Sequence, residues 1–330
     1  MEGLREISAD TFCIATDYPE VADAPLWIYL LRDAATGDCA LSDSGVPTTY
    51  ASVLAAALPE LGIAPTQIRW LLLTHGHPDH MGGHSGLRGH AAFRVAAPLE
   101  DVAWIEDVQR QWHDFWDRFP GTFSMSDADA QRWVFDMCGG NLRVDRVLKD
   151  GDVFELGDRR FETVLTRGHT RGHCAYYEPA TGLLLCGDAV QEYGLPTSSG
   201  HGVFAPLYDD VDDYRTGLER LRELPFSQLL PAHHEPVDRA EGQRLIDRSL
   251  AFIDEVDELL AGLVAGHAVA GHSEAGHAEG LSTAEVAEAI GRFCGTTSPI
   301  TIQTAYLATA HLERAARQGI LAPRWVNSDA

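Results

Sequence analysis

The chain has 330 residues, which suggests two domains, and its 45% hydrophobic and 22% charged residues are ordinary for a globular protein. These values exclude a disordered or collagen-like chain. The 49 acidic and 25 basic side chains leave a formal net charge of −24, with Lys149 the single lysine, and this charge disfavours nucleic acid and anionic membrane surfaces as partners.

Short strands and one helix are predicted in the first part of the chain. Apolar runs bounded by Pro, Gly and Asp predict strands at 7–15, 26–32 and 39–43, and an alanine-rich stretch predicts a helix at 48–61. The almost wholly apolar run 68–73 predicts a strand that is buried on both faces. Further strands are predicted at 153–156, 161–165, 174–177, 183–186 and 228–230. This alternation predicts a layered α/β core.

Residues 101–142 are rich in aromatic side chains and stand apart from the strands around them. They hold four of the seven tryptophans and four of the twelve phenylalanines. We predict a helical insertion, and two interpretations of it stay open. Its aromatics pack on the core or form a dimer contact, or they act as a lid that lines an apolar pocket. In the second case the candidate substrate contacts are Trp112 and Trp116, with Phe115 and Phe119 beside them.

Residues 239–330 are predicted to form a separate helical region, so that the first domain covers 1–238. An amphipathic helix is predicted at 239–264, and helices at 282–293 and 299–318 follow. Ser282 and Glu285 have the spacing of a capping box, which begins the first of these two helices. Between the amphipathic helix and this capping box lies a Gly- and Ala-rich linker, interpreted as a flexible spacer, with histidines at 267, 272 and 277.

A dense group of histidines and aspartates follows the buried strand at 68–73. The stretch reads Thr74-His75-Gly76-His77-Pro78-Asp79-His80. In an extended backbone His75 and His77 point to the same face. Pro78 can then open a helical turn that brings Asp79 and His80 back towards them. Imidazole and carboxylate groups that converge in this way are ligands of zinc and similar metals.

Three later motifs each place a histidine or an aspartate at the end of a predicted strand. They read Gly168-His169-Thr170-Arg171-Gly172-His173, Leu185-Cys186-Gly187-Asp188 and Pro231-Ala232-His233-His234. Each motif alone is compatible with a buried, hydrogen-bonded residue. Together, and in this order after the first stretch, they predict a metal centre at the strand ends.

These four motifs resemble those of the metallo-β-lactamase superfamily, and the resemblance covers roughly residues 5–238. Residues 41–45 are similar to an early strand-turn signature of that family. The resemblance implies an α/β fold, an αββα sandwich of two mixed sheets flanked by helices. It also implies two divalent metal ions, zinc ahead of manganese or iron. The implied ligands are His75, His77 and His169 for one ion and Asp79, His80 and His233 for the other, with Asp188 bridging both.

Other residues of the motifs refine this assignment. Asp43 is implied to support the site from behind the ligands, and His173 to orient the loop behind His169. His233 is chosen over His234 for its spacing from the preceding proline, where the family usually has P-G-H-G.

Departures from the family patterns narrow the class of enzyme. His77 stands where the flavodiiron oxidoreductases of the superfamily carry Glu, which argues against that redox branch. Asp188 makes the site resemble glyoxalase II, lactonases and RNase Z-like enzymes. Arg171 replaces a common proline, and we interpret it as a loop charge or as a contact to a substrate carboxylate or phosphate.

The resemblance implies a hydrolase in which Asp79 and Asp188 are catalytic and a metal-bridging hydroxide attacks the substrate. We predict a small carbonyl ester as substrate, with a thioester or a lactone ahead of an amide. The alternatives are a metal-dependent endoribonuclease or phosphodiesterase, a β-lactam amide hydrolase, and a non-hydrolytic binding module. Tyr193 and His201 follow the Asp188 motif and are further candidate substrate contacts.

The C-terminal region resembles the winged-helix-like domain of the β-lactamase-like-protein-2 branch, chiefly through residues 311–320. That branch is the source of the endoribonuclease alternative. Residues 281–330 hold four arginines and four acids, and so lack the basic stripe that a phosphate backbone requires. We therefore expect a small-molecule substrate, and a packing or homodimer role for this region.

The sequence predicts a cytoplasmic protein without a membrane anchor. No apolar run approaches the roughly 20 residues needed to cross a bilayer. The first residues lack the basic-then-apolar pattern of a signal peptide. The six cysteines are scattered without a C-x-x-C pair, which is typical of free thiols in a reducing compartment.

Overall fold

The computed structural model describes residues 3–18, 24–123, 125–197, 203–269, 281–298 and 300–321. Two mixed sheets face each other, and helices cover the outer face of each, as predicted for an αββα sandwich. The strands of the first sheet lie in chain order: β1 (Leu4–Ser8), β2 (Thr11–Tyr18), β3 (Ala24–Arg32), β4 (Cys39–Ser42), β5 (Ile68–Leu72), β6 (Arg94–Pro98) and β7 (Arg146–Leu148).

The second sheet contains six strands. They are β8 (Val153–Leu156), β9 (Arg159–Leu165), β10 (Cys174–Glu178), β11 (Leu183–Gly187), β14 (Gln228–Pro231) and β15 (Val237–Asp238), in the spatial order β15-β14-β11-β10-β9-β8. A small separate pair is formed by β12 (Leu195–Pro196) and β13 (Val203–Phe204). Strands β4 to β7 run parallel, as do β11 and β14, so the carboxyl ends of each parallel set share an edge.

The helices lie between and after these strands. They are α1 (Ala55–Glu60), α2 (Pro78–Met81), α3 (His84–Leu87), α4 (Val102–Ile105), α5 (Val108–Asp114), α6 (Asp127–Cys138), α7 (Val211–Glu223), α8 (Arg239–Val269), α9 (Thr283–Cys294) and α10 (Ile302–Arg317). A π-helical turn, Tyr50–Leu54, precedes α1, and 3-10 turns occur at Pro65–Gln67, Leu99–Asp101 and Trp116–Arg118.

Side chains of the central strands fill two different layers of the core. Leu71 of β5 packs against the helices that cover the first sheet, whereas Leu72 packs into the space between the sheets. In the second sheet Leu184 and Leu185 divide in the same way. Because successive side chains of a strand point to opposite faces, both faces of β5 are buried, as predicted.

The structure differs from several local predictions. The single strand predicted at 7–15 is wrong, because β1 and β2 form a hairpin that turns at Ala9 and Asp10. Asp10 has a φ of 59°, a left-handed conformation that aspartate tolerates, so the turn forms without glycine. The helix predicted at 48–61 starts with the π-helical turn. Strands β6, β7, β12, β13 and β15 were not predicted, because β6 contains alanine and proline and the other four have only two or three residues.

The C-terminal region is helical in its described part. Helices α9 and α10 pack against α7 and α8 and share the hydrophobic core on the outer face of the second sheet. Ser282 and Glu285 form the predicted capping box. Residues 239–269, 281–298 and 300–321 contain no strand, so the winged-helix comparison and the boundary at residue 238 stay predictions. His272 and His277 lie outside the described residues.

No helix in the described ranges combines the length and the apolar character that a membrane span requires.

Candidate metal centre

The first histidine stretch leaves β5 and turns at once into the short helix α2. His77 is extended, with φ −69° and ψ 155°, and Pro78 occupies the first helical position, where its fixed φ suits the helix. The following turn brings Asp79 and His80 back towards His75, whose ring lies 3.9 Å from that of His80 between centroids. The turn has the geometry that the sequence predicted.

Three imidazole nitrogens point at one another on one side of this cluster. His169 Nε2, from the β9–β10 loop, lies 3.1 Å from His75 Nε2 and 2.9 Å from His77 Nδ1. Zinc–nitrogen bonds of about 2.0–2.1 Å in a tetrahedron place ligand nitrogens about 3.3 Å apart. The three nitrogens therefore have the spacing of ligands around one small cation.

A second group of donors adjoins the first. His233 Nε2 lies 3.3 Å from Asp79 Oδ2 and 3.3 Å from Asp188 Oδ2. Asp188 also lies 3.2 Å from His80 Nε2 and 3.5 Å from His169 Nε2. Asp188 thus stands between the two groups, and its carboxylate reaches nitrogens of both.

The ionisation of the histidines and carboxylates in the cluster favours a bound cation. Burial lowers the pKa of His75, His77 and His169, so these rings are neutral. Burial also opposes charge on His80 and His233, but the neighbouring carboxylates outweigh it. They raise the pKa of His80 well above its ordinary value and that of His233 to about 10. Bound cations would replace these protons.

Three buried atoms of the cluster make no hydrogen bond among the described residues: His77 Nε2, and the facing pair His80 Nε2 and Asp188 Oδ1, which lie 3.2 Å apart. Unpaired buried polar atoms are costly, and a metal ion between the two atoms of the facing pair would satisfy both. Together with the convergent imidazoles, these atoms fit divalent metal ions.

Asp43 orients His80, a member of the second group, from outside the cluster. Its carboxylate accepts hydrogen bonds from Thr74 N and Thr74 Oγ1, each at 2.9 Å, and lies 3.0 Å from His80 Nδ1. When His80 Nδ1 donates to Asp43, the other ring nitrogen of His80 is directed at the cluster.

Main-chain carbonyls fix two further rings in the same way. His169 Nδ1 lies 2.6 Å from Leu207 O, and His233 Nδ1 lies 2.7 Å from Pro25 O. Each Nδ1 can donate to its carbonyl and leave Nε2 free to bind a metal. In His234, by contrast, burial lowers the pKa to about 4, and Nε2 is buried without a partner in the described part of the chain. This geometry favours His233 over His234.

Both ring nitrogens of His173 are engaged outside the cluster. His173 Nε2 accepts a hydrogen bond from Asp188 N at 3.0 Å, and its Nδ1 lies 2.7 Å from Thr166 Oγ1. His173 therefore holds the main chain at Asp188 and supports the site from behind.

The aromatic insertion meets the cluster through two of its rings. The His77 ring lies 4.9 Å from Phe115 and 5.2 Å from Trp116, measured between centroids. Trp112 is 4% exposed and packs against Phe123 at 6.2 Å. Phe115 and Trp116 therefore form a wall beside His77, whereas Trp112 belongs to the core of the insertion.

The remaining candidate substrate contacts find no support. Tyr193 packs on Phe252 of α8 and Phe293 of α9, and its hydroxyl bonds to Glu255. These contacts point it towards the C-terminal helices, so its predicted role stays a prediction. His201 lies outside the described residues.

Three polar residues near the cluster were missed by the sequence analysis. Gln191 donates to Asp188 O at 2.9 Å and accepts from Leu207 N at 2.6 Å. Gln111 bonds to Gly76 O. Asp101 accepts three hydrogen bonds, and burial raises its pKa to about 6 in spite of them. Asp101 shortly follows β6, and an acid after a strand end is the sequence pattern that could have identified it. This pattern was not recognised because β6 itself was not predicted.

Comparison with known proteins agrees with this geometry. A family model of the metallo-beta-lactamase superfamily matches residues 24–233. Hydroxyacylglutathione hydrolases from Thermosynechococcus vestitus and Rhodospirillum rubrum are each 30% identical over 209 residues, which is 63% of this chain. The matches span 63% and 62% of those relatives, less than two thirds of their length.

Solved structures share the fold. A metallo-beta-lactamase family protein from Thermus thermophilus has a TM-score of 0.68 at 23% identity, over 95% of both chains. A beta-lactamase domain protein from Burkholderia ambifaria has a TM-score of 0.69 at 22% identity, over 96% of this chain and 88% of that one.

Proposed function

Because the chain belongs to the metallo-beta-lactamase superfamily, we propose that it is a metal-dependent hydrolase of a small carbonyl ester. One observation carries the proposal: two groups of metal-ligand atoms adjoin each other and share the Asp188 carboxylate. Members of the superfamily bind divalent metals, typically zinc, and a carboxylate placed between two ligand groups could contact an ion in each of them.

We assign the proposed ligands as the sequence predicted them. One ion is held by His75, His77 and His169, the second by Asp79, His80 and His233, and Asp188 is shared. Zinc is proposed for both positions, and histidine with aspartate also suits manganese or iron. Bound ions of this kind supply a water-derived nucleophile at neutral pH and polarise the substrate carbonyl.

The residues of the chain orient the reactants. The side chain of Asp79 is 15% exposed, whereas that of His80 is fully buried, so the cluster opens on the Asp79 side. Asp79 and Asp188 are the acceptors that can orient a water molecule and receive its proton. Trp116, with the buried Phe115 packed against it, forms an apolar wall beside His77, which suits an acyl group.

A thioester is the favoured substrate class, with a lactone second. The relatives named hydroxyacylglutathione hydrolase act on a thioester, which supports this choice. The net charge of −24 argues against the endoribonuclease alternative, because a polyanionic substrate would be repelled.

The test is a substrate panel on the zinc-loaded chain: acyl thioesters, lactones, a chromogenic β-lactam and a fluorescent single-stranded RNA. We expect thioester hydrolysis that is lost in Asp188→Asn. RNA cleavage that persists at about 0.2 M salt, where phosphate contacts are weakened, would overturn the ranking.

A further inference from the structure

Asp101 is a buried carboxylate that ties together the two loops carrying the three-imidazole group. It ends the 3-10 turn after β6 and is 1% exposed. Its Oδ2 accepts from Gly76 N at 2.9 Å and from Thr170 Oγ1 at 2.7 Å, and its Oδ1 accepts from Gly172 N at 2.8 Å.

Two of the three donors adjoin proposed ligands, and none of the three is a ligand itself. Gly76 lies between His75 and His77 in the loop that leaves the first sheet. Thr170 follows His169 in the β9–β10 loop of the second sheet. A single carboxylate therefore fixes the distance between ligand loops that belong to different sheets.

The Asp101 carboxylate lies so close to the β9–β10 loop that a side chain at position 172 would clash with it. A Cβ atom added to Gly172 would lie 2.6 Å from Asp101 Oδ1 and 2.7 Å from Asp101 N. Glycine at this position lets the β9–β10 loop reach Asp101.

We propose that Asp101 is a positioning residue that sets the spacing between the His75–His77 loop and His169, and so the affinity of these imidazoles for their metal ion. The inference rests on the proposed function, because it concerns a metal held by those three residues. Partners of this kind behind the ligands change metal affinity by roughly 10–100-fold when they are removed.

Asp33, which directly follows β3, provides a control. It is 2% exposed and accepts hydrogen bonds from Thr36 N at 2.8 Å, Thr36 Oγ1 at 2.7 Å and Asp158 N at 3.1 Å. Asp33 is thus as little exposed as Asp101, and these hydrogen bonds equal in number the three to Asp101, although they lower the pKa of Asp33 whereas burial raises that of Asp101. Asp33 holds loops remote from the cluster.

The experiment measures zinc dissociation constants of the metal-free full chain by competition with a chromophoric chelator, together with its Tm before zinc is added. Asp101→Asn keeps the shape but cannot accept all three hydrogen bonds. We expect it to weaken zinc binding roughly 10–100-fold. Asp33→Asn should lower the Tm comparably and leave the zinc constants unchanged.

Thr170→Val removes one of the three hydrogen bonds and should weaken zinc binding by a smaller factor, so it decides the question if Asp101→Asn does not fold. If the folded Asp101→Asn and Thr170→Val variants bind zinc with the same dissociation constants as the wild type, the carboxylate only stabilises the fold. That result would overturn this inference and leave the proposed function standing. A wild-type chain that takes up no zinc would overturn the proposed function and this inference together.

Discussion

The Tyr306 hydroxyl donates a hydrogen bond of 2.7 Å to the main-chain carbonyl of Phe115, across 191 residues of sequence. The two rings also stack, with centroids 4.4 Å apart and planes at 17°. Helix α10 therefore supports the aromatic wall beside His77 from outside, and the C-terminal region takes part in shaping the site.

Substitutions at Tyr306 should separate the hydrogen bond from the packing. Tyr306→Phe keeps the stacked ring and should cost about 1 kcal/mol of unfolding free energy. Tyr306→Ala empties a buried site and should cost roughly 3–5 kcal/mol. Urea unfolding measures both. If the alanine variant also raises KM, the wall depends on α10; an unchanged KM would limit Tyr306 to a role in stability.

The two adjacent histidines after β14 should differ sharply as metal ligands. His233→Gln removes a nitrogen that faces Asp79 and Asp188, so we expect the bound zinc to fall from two ions to one. We also expect kcat/KM to fall by at least the roughly 10–100-fold that loss of a residue behind the ligands causes. His234→Gln is the matched control and should retain both ions. Elemental analysis checks this, and equal zinc loss in the two variants would contradict the assignment.

The aromatic insertion gives a comparison between two tryptophans. Trp116→Ala opens the wall beside His77 and should change KM and the preference for acyl chain length. Trp112→Ala should destabilise the fold, by roughly 3–5 kcal/mol, without changing that preference. Steady-state kinetics on thioesters of increasing length distinguish the outcomes. If neither variant alters chain-length preference, the lid interpretation is wrong.

His311 should make the stability of the chain depend on pH. Its Nε2 lies 2.9 Å from the Tyr208 hydroxyl and its Nδ1 lies 2.7 Å from Asp257 Oδ1. Burial lowers the pKa of His311 in spite of Asp257. The unfolded chain therefore takes up the proton first as the pH falls below about 6.5. The contribution of neutral, buried His311 to the stability of the folded chain is therefore present above about pH 6.5 and is lost below it.

We expect the unfolding free energy of the wild type to fall more steeply between pH 7.5 and 5.5 than that of His311→Gln. The difference in slope is at most about 1.4 kcal/mol per pH unit, which corresponds to one proton. Other buried histidines contribute equally to both chains and cancel. Equal slopes of unfolding free energy against pH in the two chains would show that His311 does not cause the pH dependence.

The part of the site that the sequence could predict is the part encoded locally. His75 to His80 lie within six residues, and Pro78 sets the turn between them, so spacing alone indicates their convergence. The sandwich itself follows from the motifs and from the alternation of strands and helices. Local patterns also predicted the ends of most strands within about two residues.

The rest depends on contacts between distant segments. Asp101 and Tyr306 have no motif around them, and each becomes part of the site only through partners far along the chain. The turn at Asp10 and the three-residue strand β7 carry too little pattern to be recognised, because tertiary pairing decides them. Long-range packing is therefore what the sequence analysis missed.

The division of the proposed ligands between the two sheets has a consequence for biosynthesis. A nascent chain that has emerged as far as β8 carries His75, His77, Asp79 and His80, but it can complete neither group. The three-imidazole group becomes complete once His169 has emerged, and the second group waits for His233, after β14 has joined β11 in parallel. The donors of the two proposed metal positions therefore become available in a fixed order during translation, with those at His77 first.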